Sequence, residues 1–516
     1  MPRPLAIHLA LAMIMAIGIF ARTWEFGQLP PGMNPDEASS GVEALNLSRY
    51  GTDRYGMRFP VKFISWGSGQ DGLYAYLLAP FVAVLGLSLT VVRLPMLGLG
   101  VLALPLFYIA TRRMFGVRLA LLATFMLAIS PWHILLSRWA LDANLLPFFF
   151  LAGFTCLLYV ARSGWWFPAA ALFFGLCLYA YGTAYAVIPV FMFCSLILMV
   201  RSKLINKWQM LAGLGVFGML AVPIFLLLLV NGLELPSLSM GPFTVPRLPV
   251  AVRWETTTLL GAPDIWPALI ANISTGVRLL IVESDGLLYN VAEPFGYFYR
   301  VGLVLALGGL ILLVRGGQVG SRFEVRLLLA WLGAAALVAA MQPVNINRFN
   351  IIFMPLLILA ALALDWVASL HRAVAPAIVV GLSAAFVAFS ATYHGSEYRR
   401  QSSWKFQNGL LPALHFASEQ TDQDLCVTDE INMAYIYALF TDQTSPAEFV
   451  STVRYLDAAE PLRRVVSFGR YTFGMRHCPH EQGPSYVLRG DEIPPRLGNR
   501  YAYEFFDNFV VYYPVP

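Results

Sequence analysis

Apolar runs of about twenty residues recur along this chain, and each is long enough to cross a bilayer as a helix. The first is Leu5 to Phe20. Of the 516 residues, 58% are hydrophobic and 13% are charged, against about 25% charged in ordinary soluble domains. With 36 Phe, 23 Tyr and a mean hydropathy of +0.64, the composition is that of a polytopic membrane protein. A net charge of +5 is small and reads as the basic bias of cytoplasmic loops, not as a nucleic-acid surface. Arg3 followed by an apolar stretch resembles a signal peptide. Ala21-Arg22-Thr23-Trp24 is a poor cleavage site, so the segment is expected to remain as an uncleaved first span.

Basic residues in short loops mark the cytoplasmic side. They cluster at Arg112-Arg113 with Arg118, at Arg162, at Arg201 with Lys203 and Lys207, at Arg315 with Arg322, and at His371-Arg372. Their parity is consistent with eleven spans: 5–21, 92–111, 117–131, 144–161, 166–182, 184–200, 209–230, 298–314, 324–341, 350–367 and 373–391. The apolar segment 73–89 would invert every later cluster if it crossed. It is therefore expected to lie at the outer interface or to re-enter, as Tyr74, Tyr76 and Pro80 suit. The expected architecture is an α-helical transmembrane domain over 1–393, with outer loops at 22–91 and 231–296. A small extracytoplasmic α/β domain follows over 394–516, its strands near 425–428, 465–468, 485–488 and 509–513 and its helices near 431–440 and 446–456.

There are five cysteines. Cys156, Cys177 and Cys194 lie in apolar segments and read as packing residues. Cys426 and Cys478 lie in the polar tail and can pair in an oxidising compartment. His477-Cys478-Pro479-His480 is compact but lacks a second ligand cluster, so no zinc site is expected.

The expected outer face collects charge. The first loop carries Asp36 and Glu37 with Arg58, Lys62 and Asp71; the next carries Arg138 and Asp142. The long loop carries Arg253, Glu255, Asp264, Arg278, Glu283, Asp285 and Glu293, and a late turn carries Arg348. Carboxylates near a bilayer are costly and usually meet a cation, a proton or a substrate. The alternatives are structural. Asn34 or Asp36 caps a helix that Asp36 and Glu37 open, Asp142 caps the fourth span, and the arginines snorkel. As chemistry, arginines and lysines hold a phosphate, and a nearby carboxylate serves as a base toward a hydroxyl or amine.

Several motifs carry a family resemblance. They are Pro35-Asp36-Glu37 after the first span, Arg93-Leu94-Pro95 and Arg112-Arg113-Met114-Phe115-Gly116 around the second, Ser130-Pro131 before Ser137-Arg138-Trp139-Ala140-Leu141-Asp142, and Asn347-Arg348-Phe349 with Met354-Pro355-Leu356. Over about 1–390 the chain resembles the glycosyltransferase-C superfamily, in particular bacterial relatives of protein O-mannosyltransferases and lipid A aminoarabinose transferases. The resemblance implies an integral-membrane glycosyltransferase moving a sugar from a polyprenyl phosphate to an extracytoplasmic protein, lipid or glycan. It implies catalytic roles for Asp36, Glu37 and Asp142, and donor-phosphate roles for Arg58, Lys62, Arg138 and Arg348. The family's Lys-Pro-Pro of the first loop is absent; Gly69-Gln70-Asp71-Gly72 stands there. A divalent cation, Mg or Mn, shared by Asp36 with Asp142 or Asp71 is left open, as is inversion or retention. The resemblance places the chain in a bacterial inner membrane with its tail outside. Competing readings are an oligosaccharide transferase or ligase, a lipid or sugar transporter, and a scaffold that binds a partner through its tail. Transporters place charge near the midplane of broken spans, which these spans lack.

Overall fold

The computed structural model describes residues 4–65, 69–249, 258–317, 322–420, 423–458, 463–479, 483–494, 497 and 501–515. Arg253, Glu255 and His480 lie outside the described residues. Among the described residues, eight helices are long and apolar enough to cross a membrane. A helix underlies each of the eleven expected spans, but four of these helices are short: Val117–Ile129, Leu146–Leu158, Trp166–Cys177 and Gly302–Arg315. One long apolar helix, Ile265–Val282, falls inside the segment expected to be an outer loop. Arg278 sits in its last turns, and the polar residues Asn272, Ser274 and Thr275 interrupt its apolar run. That mixture hides it in a reading that looks for uniform hydropathy. The segment 73–89 is helical over Leu73–Leu85, only 13 residues.

The chain divides into two compact units, each assembled from separate stretches. The first comprises 1–26, 96–225 and 253–395. Its core is helix on helix: Pro4–Thr23 packs on Val117–Ile129, Ala184–Arg201 on Phe323–Met341, and Gly302–Arg315 on Phe353–Leu370. The last pair approaches closely because Gly309 faces the Leu359 carbonyl with no room for a Cβ. Phe150, Phe154, Phe174 and Phe191 cluster with Trp331, whose indole N–H donates to the Ile351 carbonyl at 2.9 Å.

The second unit comprises 27–95, 226–252 and 396–516. The first-loop segment thus packs with the tail, a grouping that no feature of linear order announces. Two short hairpins belong to it: β1 (Lys62–Phe63) with β2 (Gln70–Asp71), and β3 (Leu238–Met240) with β4 (Phe243–Val245). The tail forms a sheet from β5 (Leu425–Val427), β6 (Arg454–Tyr455), β7 (Val465–Phe468), β8 (Tyr471–Phe473), β9 (Ser485–Arg489), β10 (Tyr501–Phe506) and β11 (Phe509–Pro514), in spatial order β10-β11-β9-β5-β8-β7-β6. β5 runs parallel to both β8 and β9, and the remaining pairs are antiparallel. The expected strands and the helices Ala434–Asp442 and Pro446–Thr452 are present; β6, β8 and β10 are additions. Cys426 of β5 is joined to Cys478 as a disulfide, beneath Tyr486, Leu488 and Val510.

Candidate active site

In the second unit the helix Pro35–Tyr50 carries the acidic pair. Asn34 is its N-cap: its side chain accepts from the Asp36 N–H at 3.0 Å, and Glu37 reaches back to the Asn34 N–H at 3.0 Å. This is a capping box with Pro35 in the first turn, and Gly51 in the left-handed region ends the helix. Every residue from Glu37 to Leu47 is buried, although the segment has no run of large apolar side chains. It is enclosed by Leu73–Leu85 and Ala434–Asp442 through small residues. At Gly41 a Cβ would lie 2.7 Å from the Phe440 ring.

Burial on all sides forces the polar side chains to find partners. Glu37 is fully buried against Arg93, which donates through Nε at 2.7 Å and Nη2 at 2.9 Å. The same guanidinium donates to the carbonyls of Pro30 and Gly32, each at 2.8 Å. Arg93 thus gathers the whole approach to the helix, and Glu37 supplies the counter-charge. Asp36, one residue earlier, is half-buried. Further along, Arg54 pairs with Glu43 at 2.5 Å and donates to the Ser39 hydroxyl, which in turn donates to Gln70 at 2.7 Å. Lys62 pairs with Asp71 at 2.6 Å across the β1–β2 register, and both are buried. Arg58 is exposed.

The helix Ala434–Asp442 reaches the same loop. The Tyr437 hydroxyl donates to the Met33 carbonyl at 3.1 Å. Burial, then the charges of Glu37 and Asp36, hold its phenol well above the ordinary range.

The first unit holds the other expected residues. Arg138 is fully buried and donates to the carbonyls of Ala21 and Arg22 at 3.3 and 3.1 Å, with its guanidinium over the Tyr393 ring. Asp142 is buried and opens a 3₁₀ turn, Asp142–Leu145, whose N-cap is Leu141. That turn packs against the short helix Ile346–Phe349, and Asn350 donates to the Ala143 carbonyl at 2.6 Å. The Asp142 and Arg348 segments are therefore brought together. Arg348 is half-buried, donates to the Pro343 carbonyl at 3.1 Å and makes no ion pair among the described residues. Asp285 accepts from the Ile346 N–H at 2.9 Å, and Glu283 accepts from the N–H groups of Phe298 and Arg300 at 2.8 and 3.0 Å. These acids of the long loop cap turns.

Residues 73–226 match the family model of dolichyl-phosphate-mannose-protein mannosyltransferases. No curated protein matches the sequence. Among solved structures, apo ArnT from Cupriavidus metallidurans is similar at a TM-score of 0.55 and 14% identity, over 98% of this chain and 97% of that one. The same protein bound to undecaprenyl phosphate gives 0.53 and 15%, with the same coverage. This chain has the glycosyltransferase-C fold. The oligosaccharyltransferase of Archaeoglobus fulgidus, in complex with Zn and sulfate, is similar at 0.54 and 16%, over 84% of this chain and 62% of its own length. The chain thus spans about three-fifths of that enzyme.

With this fold and its long apolar helices the chain is an integral membrane protein. Among the described residues no three His, Cys, Asp or Glu side chains are grouped to hold a metal. Asp71, one of the carboxylates considered for a cation, already faces the Lys62 ammonium. The donor set therefore does not fit a divalent ion built on that residue. Arg93 stands in the Arg93-Leu94-Pro95 motif, and its pairing with Glu37 is a role that the motif alone does not reveal. The available signal was an arginine inside an apolar helix, which is costly unless paired.

Proposed function

We propose that the protein transfers a sugar from a polyprenyl-phosphate donor to an acceptor outside the cytoplasm, with Asp36 as the base. The observation that carries this reading is the division of labour in the acidic pair. Glu37 is buried on Arg93 and Asn34, so it orients the helix start. Asp36 is half-buried on a helix start held by the capping box.

In the reaction the acceptor's hydroxyl or amine gives its proton to the Asp36 carboxylate as its lone pair attacks the anomeric carbon. The bond from that carbon to the phosphate oxygen breaks, and the polyprenyl phosphate leaves with the electron pair. A phosphate is a good leaving group, so the barrier lies in orientation, proton removal and charge stabilisation. In the first unit Arg348 is half-buried, with one backbone contact and no carboxylate partner among the described residues, and by itself suits an anion such as a phosphate. Arg58, exposed in the first loop, is a second candidate. Lys62 is paired with Asp71, and Arg138 is held by carbonyls, so both are assigned to structure. Asp142 is assigned to positioning the Arg348 segment.

The reading extends to a plasma-membrane protein with an inside N-terminus and an outside tail. An oligosaccharide donor in place of a single sugar would leave these roles unchanged. The test is transfer from a radiolabelled polyprenyl-phosphate sugar by Asp36→Asn in detergent. Loss of about 10³-fold or more, with an unchanged melting temperature, is expected from removing a general base that also orients the acceptor. Wild-type rates in that variant would overturn the assignment.

A further inference from the structure

Open sheets bind ligands at the carboxyl ends of parallel strands, where successive loops diverge and leave a crevice. In the tail sheet β5, β8 and β9 are parallel, so their carboxyl ends share one edge. A cavity of about 330 Å³ lies there, between the segment that follows β5 and the turn that follows β8. Its floor is apolar, formed by the buried residues Met433, Tyr435, Val465 and Phe473. Its rim is polar and of both signs: Asp429 and Glu430, Asn432, Arg464, Arg476 and His477.

Several features build this rim. Arg476 donates to Asp429 at 3.2 Å. Gly474, at φ +86°, lets the Asp429 carboxylate come close; a Cβ there would lie 2.6 Å from its Oδ2. The Cys426–Cys478 disulfide ties the turn that carries Arg476 and His477 back to β5.

The chemistry of the lining selects a ligand class. A phosphate site would be uniformly cationic and rich in donors, and a lipid site would be apolar to its rim. Here planar carboxylate, amide and guanidinium groups surround an apolar floor. Carboxylates accept from hydroxyls, guanidinium and amide groups donate to hydroxyl and ring oxygens, and the floor takes a face of C–H bonds. Those three surfaces are the surfaces of a sugar ring.

The cavity also has a link to Asp36. Tyr435 lines it, and Tyr437, two residues along the same helix, bonds the Met33 carbonyl in the approach to Asp36. Tyr435 is in turn reached by Arg54 at 3.5 Å, and Arg54 holds Glu43 and Ser39 of the Asp36 helix.

We propose that this cavity is a saccharide-binding subsite of the tail that recognises a sugar of the acceptor. The inference rests on the glycosyltransferase reading. The test uses the full-length protein in detergent on a printed array of simple and bacterial-surface saccharides. Hits are followed by titration of the corresponding methyl glycosides. Wild type and Asp36→Asn should bind the same saccharide equally, and only wild type should transfer to it. Asp429→Ala, an exposed rim change, should weaken binding at least tenfold and raise the acceptor KM with kcat nearly intact. Val466→Trp, which fills the cavity, should do the same by bulk. No saccharide bound by wild type, or binding indifferent to both variants, overturns the proposal. Saccharide binding that depends on Asp429, with no transfer from any polyprenyl-phosphate sugar, overturns the glycosyltransferase reading and leaves the subsite standing.

Discussion

At the residue scale, residues 27–95 of the second unit hold three buried ion pairs: Arg93 with Glu37, Arg54 with Glu43, and Lys62 with Asp71. A buried pair contributes little net stability over an apolar pair of the same size, but deleting one member strands the other charge. Arg93→Ala should therefore destabilise the protein by about 3–5 kcal/mol, and Arg93→Met with Glu37→Gln by clearly less. Denaturant titration in detergent compares the two; equal losses would show that the pair is not coupled. Asp53 makes a different statement. It is buried beside Glu43, and desolvation first, then the Glu43 charge, push its carboxyl from 3.8 up to about 7. Between about pH 4 and 7 the folded chain therefore keeps a proton that the unfolded chain has released. Stability from this group falls as pH rises through that window and is level above it. Asp53→Asn should flatten the curve of melting temperature against pH there; curves that stay parallel would refute the shift.

At the scale of elements, the Pro35–Tyr50 helix opens on a capping box. Asn34→Ala removes the acceptor for the Asp36 N–H and half of the capping box. The expected cost is about 1 kcal/mol. Transfer should fall further than stability, because the cap also sets where Asp36 points. A melting curve and a transfer rate on one preparation check this, and proportional losses would argue against positioning. A helix start capped by Asn34 or Asp36 is legible in the sequence. It left a cap and a catalytic pair as rival readings of the same residues. The structure gives Glu37 to the cap and to Arg93, while Asp36 lends its N–H to the cap. The partner of Glu37 lies 56 residues away, beyond any local pattern.

For the whole molecule, the sidedness of the loops turns on the helix Ile265–Val282. If Ile265–Val282 lies along the surface or re-enters, the basic residues Arg315 and Arg322 stay on the cytoplasmic side; if it crosses, they invert. Cysteines placed at Ser237, Ser284 and Val515 are therefore expected to react with a membrane-impermeant thiol reagent from one face, the outer one. Labelling of 237 and 284 from opposite faces would make the helix a span and put the tail inside.

The sequence by itself determined the solvent and the element type. Long apolar runs need a bilayer, and only internally bonded helices satisfy a backbone there. It also marked Asp36 and Arg348 as charges set between apolar segments, because charge in an otherwise apolar chain is visible without coordinates. What only the tertiary structure decided was which charges are already spent. Ion pairing depends on distances between residues far apart in the chain, and period and composition carry no such distances. The same holds for the grouping of residues 27–95 with the tail, and for the cavity at the carboxyl edge of β5 and β8. Both arise from contacts that exist only once the chain has folded back on itself.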